Sequence, residues 1–315
     1  NSLSNTFQIM KVLVATEKPF AAVAVNGIKD VMAEAGYEVI LLEKYPDKTA
    51  LLAAVADADA MIVRSDKIDA EVFEAAKRLK IVVRAGAGYD NIDLKAATAH
   101  DVCVENTPGQ NSNAVAELAF GMAVMAARNM YDGTSGSELK DKTLGIHAFG
   151  QVGRNVARIA KGFGMKVSAF DPFCPAEAIK SADVIPSDSV EQLYSGNKVV
   201  SIHIPATDET RKSINYQLIT RMPKGGILIN TARKEVIDED GLYQALNDRP
   251  DLKYVADVKP DNAEVLEATF RGRVFFTPKK MGAQTAEANI NAGIAAAQQI
   301  VAYLRDGVDR FRVNK

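Results

Sequence analysis

The sequence predicts an α/β protein made of two doubly wound, parallel-sheet domains. Short apolar runs alternate with stretches of helical period along nearly all of the 315 residues. At 144–171, LGIHAFGQVGRNVARIAKGFGMKVSAFD reads as strand, glycine turn, helix and second strand. The alternation also runs twice, separated by a long apolar helix, which calls for two sheets.

In chain order, MKVLVAT (10–16) is the first strand. A helix over 21–35 stops near Gly36, and a strand follows at 38–42. Residues 51–56 read as helix, 60–63 as strand, 70–79 as helix and 81–84 as strand. AVAELAFGMAVMAARN (114–129) is apolar nearly all round, which places it between domains or at a subunit interface. After the glycine turn, strands fall at 182–185, 198–203, 226–230, 254–257 and 274–277. Helices fall near 189–194, 215–221 and 239–246. The last helix, 286–304, needs an apolar partner surface and is expected to complete the first unit.

Apolar content of 47% and charged content of 25% fit a globular protein. A net charge of -2 gives no electrostatic case for nucleic acid or a membrane surface as partner. An anionic substrate therefore needs a local basic pocket. Cys103 and Cys174 show no metal or redox spacing. With no signal peptide and no apolar run of spanning length, a reducing cytoplasm is the expected compartment. Residues 1–9, NSLSNTFQI, carry little pattern.

Ala148-Phe149-Gly150-Gln151-Val152-Gly153 is close to the dinucleotide fingerprint G-x-G-x-x-G, with alanine in the first place. Gly150 lets backbone approach a pyrophosphate, and Gly153 lets the helix pack close to the sheet. The helix N-terminus offers N–H groups and a positive dipole end to the phosphates. Asp171, 18 residues past Gly153, can accept from a ribose 2′-OH and would repel a 2′-phosphate, favouring NAD over NADP. Alanine disfavours positive φ, so a slightly altered turn is expected at Ala148.

Five strand-end segments stand in fixed order: VRAGAGYDNID (83–93), NTPGQN (106–111), SIHIP (201–205), NTARKE (230–235) and TPKKMGA (277–283). Together they resemble the signature of the D-isomer-specific 2-hydroxyacid dehydrogenases, over almost the whole chain from Met10. Within that family the chain is most similar to the phosphoglycerate dehydrogenase branch, in a short form without C-terminal regulatory domains. The resemblance implies two Rossmann-like domains with the active site in the cleft, and a homodimer. The implied substrate domain is 10–109 plus 286–315, and the NAD domain is 110–285.

The resemblance also implies roles. Arg233 would pair with the substrate carboxylate and polarise the keto group, with the backbone of Gly86 and Ala87 completing the carboxylate site. Asp257 would hold the nicotinamide carboxamide. His203, Ile204, Pro205, Thr231, Ala232, Gly282 and Ala283 would line the NAD site beside the glycine turn.

One departure is chemical. The family's TPHxGA histidine is absent: counting back from Gly282-Ala283, its slot holds Lys280, with Lys279 inserted. The family's partner glutamate is absent too, because DVKPDN puts Asn262 in its slot. A histidine needs a carboxylate to fix its tautomer, whereas a lysine has none to fix. Lys280 is thus the expected general acid/base, with phosphate binding or a dead site as alternatives and Lys279 as the rival amine.

Among the histidines, His147 should be packed and His100 should lie in a connection. Arg64, Ser65, Lys67 and Arg84 lie at neighbouring strand ends and suit a phosphate. The reading is NAD-dependent oxidation of a small phosphorylated 2-hydroxy acid, 3-phospho-D-glycerate, in serine synthesis. The alternatives are a hydroxypyruvate or glyoxylate reductase and a catalytically silent NAD(H)-sensing protein.

Overall fold

The computed structural model describes residues 8–315, so most of the unpatterned stretch 1–9 lies outside the described residues. The chain forms two compact units: Ser112–Ala283, and the residues up to Asn111 together with Gln284–Lys315.

The first unit holds five parallel strands: β1 (Lys11–Thr16), β2 (Glu38–Glu43), β3 (Ala60–Val63), β4 (Ile81–Arg84) and β5 (Cys103–Asn106). Their order is β2-β1-β3-β4-β5. Apolar clusters cover both faces, as a parallel sheet requires. Helix α1 (Ala22–Ala35) ends at Gly36, whose φ of 77° lets the chain turn away. Helices α2 (Lys48–Val55), α3 (Ala70–Ala75) and α4 (Leu94–Ala99) start on Asp47, Asp69 and Asp93. Each of these carboxylates accepts from the N–H three residues on.

The last helix, α12 (Ala286–Asp306), packs on α1, β3 and β4 and completes this unit. The fit is close: a Cβ on Gly27 would come within 2.7 Å of Ile294 Cδ1. The sequence reading omits α4 and β5, which hold too few residues to show a period. It also carries α3 four residues too far, since the helix stops at Ala75.

The second unit opens with α5 (Ser112–Ala127). Its parallel sheet contains β6 (Thr143–His147), β7 (Lys166–Phe170), β8 (Ile185–Pro186), β9 (Val199–Ile202), β10 (Ile227–Asn230), β11 (Lys253–Ala256) and β12 (Val274–Phe276). The order is β12-β11-β10-β9-β6-β7-β8, so the chain reverses direction of winding at β6. Ligands bind parallel sheets at the carboxyl ends of such strands. Helices α6 (Gln151–Gly162), α7 (Ala176–Ser181), α8 (Val190–Gly196), α9 (Tyr216–Ile219), α10 (Glu239–Asp248) and α11 (Ala263–Thr269) connect them. The expected strand at 182–185 shrinks to the two residues of β8, because Ala182 caps α7.

Helix α5 corrects an expectation. Its apolar face is spent inside its own unit, against α6, β10 and β11, with Ala116, Phe120, Ala123 and Ala126 in the core. Its composition is explained by that burial and carries no argument for a subunit interface.

The glycine turn corrects another. Ala148 adopts φ 80°, so the alanine keeps the left-handed conformation that glycine would supply. Gly153 is fixed sterically: a Cβ there would lie 2.5 Å from the Ala148 carbonyl oxygen and 3.0 Å from Ile146 Cγ2. The strain at Ala148 costs about 1–2 kcal/mol, whereas glycine's added chain entropy costs up to about 1 kcal/mol. Ala148→Gly should therefore raise the unfolding free energy by about 0.5 kcal/mol, read from denaturant titration. A loss of stability would contradict the strained turn.

Candidate active site

The nucleotide edge begins at α6. Gly150 is its N-cap and supplies no side-chain bond, so the first-turn N–H groups, beginning at Gln151, Val152 and Gly153, remain available to an anion. A Cβ on Gly150 would meet no atom within 4 Å, so the turn faces open space. Val152 packs on the core and directs the first turn. At the end of β7, Asp171 accepts from Phe149 N–H at 2.8 Å and from Phe173 N–H at 2.9 Å. The acid beside the turn thus also braces it, a role not visible in the spacing. Open glycine, uncapped helix and acid together fit a dinucleotide.

Next along the edge, β9 runs into His203, Ile204 and Pro205. Ser201 Oγ lies 2.7 Å from His203 Nε2. Burial, and then the His147 ring, push the His203 pKa down to about 3. His147 is buried 3.0 Å from the Tyr194 hydroxyl, and burial lowers it to about 4. Both rings are neutral near pH 7. His100 is exposed in the first unit, with Nδ1 2.8 Å from the Ala96 carbonyl.

The NTAR turn is shaped by a residue the sequence reading did not single out. Buried Asn230 accepts from Ala232 N–H at 2.9 Å and donates to the Arg233 carbonyl at 3.0 Å and the Tyr254 hydroxyl at 3.2 Å. Thr231 is buried beside it, and its hydroxyl has no partner among the described residues. Arg233 is exposed and donates to the Ala232 carbonyl at 2.8 Å. Among the described residues it forms no ion pair, so its fork stays open to a carboxylate.

The TPKKMGA loop hangs on Asp257. This carboxylate, 1% exposed, accepts from the Thr277 hydroxyl at 2.8 Å, Met281 N–H at 2.9 Å and Gly282 N–H at 2.8 Å. A Cβ on Gly282 would sit 3.1 Å from the same carboxylate, so the approach needs glycine. Ala283 follows at the end of the unit, half-buried.

Lys280 projects from this anchored loop and keeps solvent access. Desolvation, and then the Arg233 charge, pull its pKa below the ordinary lysine value, while Asp257 and Glu235 oppose them. Lys279 is exposed beside it. Neither amine has a hydrogen-bond partner among the described residues. Asn262, in the slot of the missing glutamate, opens α11 and donates to the Glu239 carbonyl at 3.4 Å.

The first unit presents its own cations. Arg64 donates from Nη1 to the Lys18 carbonyl at 2.8 Å and the Pro19 carbonyl at 3.1 Å, and it stacks 5.3 Å from the Phe20 ring centre. Part of its fork is thus spent on the scaffold. Asp66 is no partner of that guanidinium: it accepts from Glu17 N–H, Arg64 N–H and the Tyr45 hydroxyl. Arg84 donates to the Ala85 carbonyl, and its Nε is buried without a partner among the described residues. Burial, and then the Arg64 charge, lower its pKa. Ser65 and Lys67 are exposed at the same strand end.

Gly86 departs from expectation, because its N–H donates to Thr107 Oγ1 at 2.8 Å. The N–H of Ala87 has no partner among the described residues, and the Ala87 carbonyl accepts from Asn106 Nδ2 at 2.8 Å.

Residues 112–278 match the family described as D-isomer specific 2-hydroxyacid dehydrogenase, NAD binding domain. A D-3-phosphoglycerate dehydrogenase of Methanocaldococcus jannaschii is 37% identical over 285 residues, 85% of this chain and 54% of that protein. A hydroxypyruvate reductase of Thermotoga maritima is 35% identical over 281 residues, 84% of this chain and 90% of that protein. The chain therefore spans about half the length of the first relative and most of the second. The crystal structure of NAD+-bound 3-phosphoglycerate dehydrogenase in Entamoeba histolytica superimposes with a TM-score of 0.80 at 48% identity, covering 98% of this chain and 99% of that one.

Three charge-assisted bonds on one carboxylate, each worth about 1.5–3 kcal/mol, make Asp257 the main tie of the loop. Asp257→Ala should accelerate tryptic cleavage after Lys279 and Lys280 at least about tenfold under native conditions, because local opening sets the rate. An unchanged cleavage rate would show that the loop is held elsewhere.

Proposed function

The chain belongs to the D-isomer specific 2-hydroxyacid dehydrogenase family, and on that premise we propose that it oxidises 3-phospho-D-glycerate to 3-phosphohydroxypyruvate with Lys280 as general base. Bound at the glycine turn, NAD supplies the hydride acceptor. Arg233 holds the substrate carboxylate through its open fork and polarises the C2 oxygen. The C2 hydroxyl proton passes to the Lys280 amine as the hydride leaves C2. In the reverse direction the ammonium returns it. Asp171 and the α6 N-terminus hold the nucleotide, and Asp257 keeps Lys280 in place. Ile204, Pro205, Thr231 and Ala232 line the pocket.

The observation that carries this reading is the placement of Lys280. It stands on an anchored loop, within the field of Arg233, with a lowered pKa and no internal partner among the described residues. A general base works best with its pKa drawn toward the working pH. Lysine needs no orienting carboxylate, which accounts for Asn262 in the dyad position.

The phosphate assignment rests on Arg64 and Arg84, which form no ion pair among the described residues; burial, and then the Arg64 charge, lower the Arg84 pKa, and Asp90 and Asp66 oppose them. Serine biosynthesis in a reducing cytoplasm, by a homodimer, belongs to the same proposal. Two free cysteines are consistent with that compartment. A second reading, hydroxypyruvate or glyoxylate reduction, is favoured by the long match to the Thermotoga maritima reductase.

Lys280→Met should lower kcat about 10²- to 10⁴-fold while NAD affinity, measured by calorimetry, stays within about twofold. Near-normal turnover would exclude the amine. The sign of the pH dependence follows: oxidation needs the free amine, so kcat/KM for oxidation rises with pH to a limb below 10.5, and the limb disappears in the variant. Arg84→Ala should raise KM for the phosphorylated substrate at least about tenfold and leave hydroxypyruvate reduction unchanged, because charge-assisted bonds to phosphate are lost. Equal losses on both substrates would favour the reductase reading.

A further inference from the structure

At the opposite end of the seven-stranded sheet, where β6, β9, β10 and β11 begin, the second unit encloses a cavity of about 290 Å³. We propose that this cavity is a second, regulatory anion site that takes a small phosphate-bearing molecule.

Three lysines enter it: Lys142 just before β6, Lys198 just before β9, and Lys253 at the start of β11. All three are half-buried, and none forms an ion pair with an acid among the described residues. Lys253 donates to the Ala126 carbonyl and to Asn129 Oδ1, both at 2.7 Å, which leaves one of its three N–H groups unspent. Lys198 lies against the Gly225 turn. Ser135 adds a hydroxyl donor to the lining, whereas the Ser137 hydroxyl donates to the Glu138 carbonyl at 3.4 Å.

Two acids, Asp251 and Glu138, also line the cavity, and a third, Asp132, acts to raise the Lys253 pKa. Asp251 is committed to Arg249 at 2.7 Å and to Gly225 N–H at 2.8 Å. Glu138 is exposed at the rim, and Asp132 is exposed and bonded to Thr134. Burial depresses the Lys253 pKa; Asp132 opposes it, and the smaller effect of the Lys198 charge adds to the depression. Half-burying unpaired cations together is unfavourable. A phosphate dianion would relieve it with charge-assisted bonds and would suit clustered lysines as point charges.

The wall is built at some cost. Asn129, Met130 and Tyr131 hold φ values of 53°, 56° and 59°, three successive non-glycine residues in the left-handed region. Lys253 ties this strained segment through Asn129.

The site can reach the chemistry through the sheet. β10 carries the chain from the Gly225–Ile227 wall to Asn230 and Arg233, and β11 from Lys253 to Asp257. Each strand has four residues, a rise of roughly 10 Å. An anion held by Lys253 acts on the start of β11, whose end leads to Asp257.

The test is titration calorimetry of the full chain with inorganic phosphate, with glycerol 3-phosphate as a second arm. Arg84→Ala serves as background, to remove binding at the proposed substrate phosphate site. In that background we expect phosphate to bind, and Lys198→Gln and Lys142→Gln each to weaken it at least about tenfold with melting unchanged. Tighter binding of the ester than of free phosphate would identify the ligand as a phosphate monoester, and the reverse order would identify inorganic phosphate. Phosphate binding that neither lysine substitution weakens, or no binding below about 10 mM, overturns the site. Should Lys198→Gln fail to fold, the more peripheral Lys142→Gln decides. An Arg84→Ala background that changes no stoichiometry would count against the substrate reading alone, since loss of binding in the lysine variants is read separately.

Discussion

The arrangement depends on one buried carboxylate. Asp257 sits at the end of β11 with almost no exposed surface, and three donors from the 277–282 segment converge on it. A buried charge is tolerable only when its acceptor sites are filled, so carboxylate and loop hold each other in place. That mutual demand puts Lys280 on a fixed scaffold. Asn230 does the same for Arg233 by bonding both sides of its turn. Lys280 and Arg233 are thus exposed themselves but carried by buried polar groups.

A lysine in the histidine position changes the physical problem. Histidine titrates near neutrality unaided but must be oriented, whereas lysine needs no orientation but titrates too high. In the role proposed for Lys280, desolvation and a neighbouring guanidinium lower the pKa, and no orienting glutamate is needed. Asp257 and Glu235 act the other way and limit the descent. The two histidines on this edge, His147 and His203, are held neutral by burial.

Much of this was legible in the chain. The strand–helix alternation, the glycine turn with Asp171, and the completion of the first unit by its last helix follow from periodicity and turn chemistry. Legibility failed where a signal was too short or was set by tertiary contact. CVEN and LKAATA are too brief to show a period. Ala148 takes a left-handed φ because surrounding contacts outweigh its intrinsic preference. Sequence cannot say which surface covers the apolar helix α5, and its own sheet does. Pairing between distant residues was invisible too. Arg64 could not be seen to spend donors on the carbonyls of Lys18 and Pro19, nor Gly86 to give its N–H to Thr107.

The most direct measurement of the central claim is chemical rescue. Lys280→Ala should be nearly inactive with NAD and 3-phosphoglycerate, and small primary amines in the buffer should restore turnover in proportion to their basicity. Such a dependence is the mark of proton transfer by the missing amine. A variant that binds NAD normally and recovers nothing across an amine series would contradict the assignment of the base to Lys280.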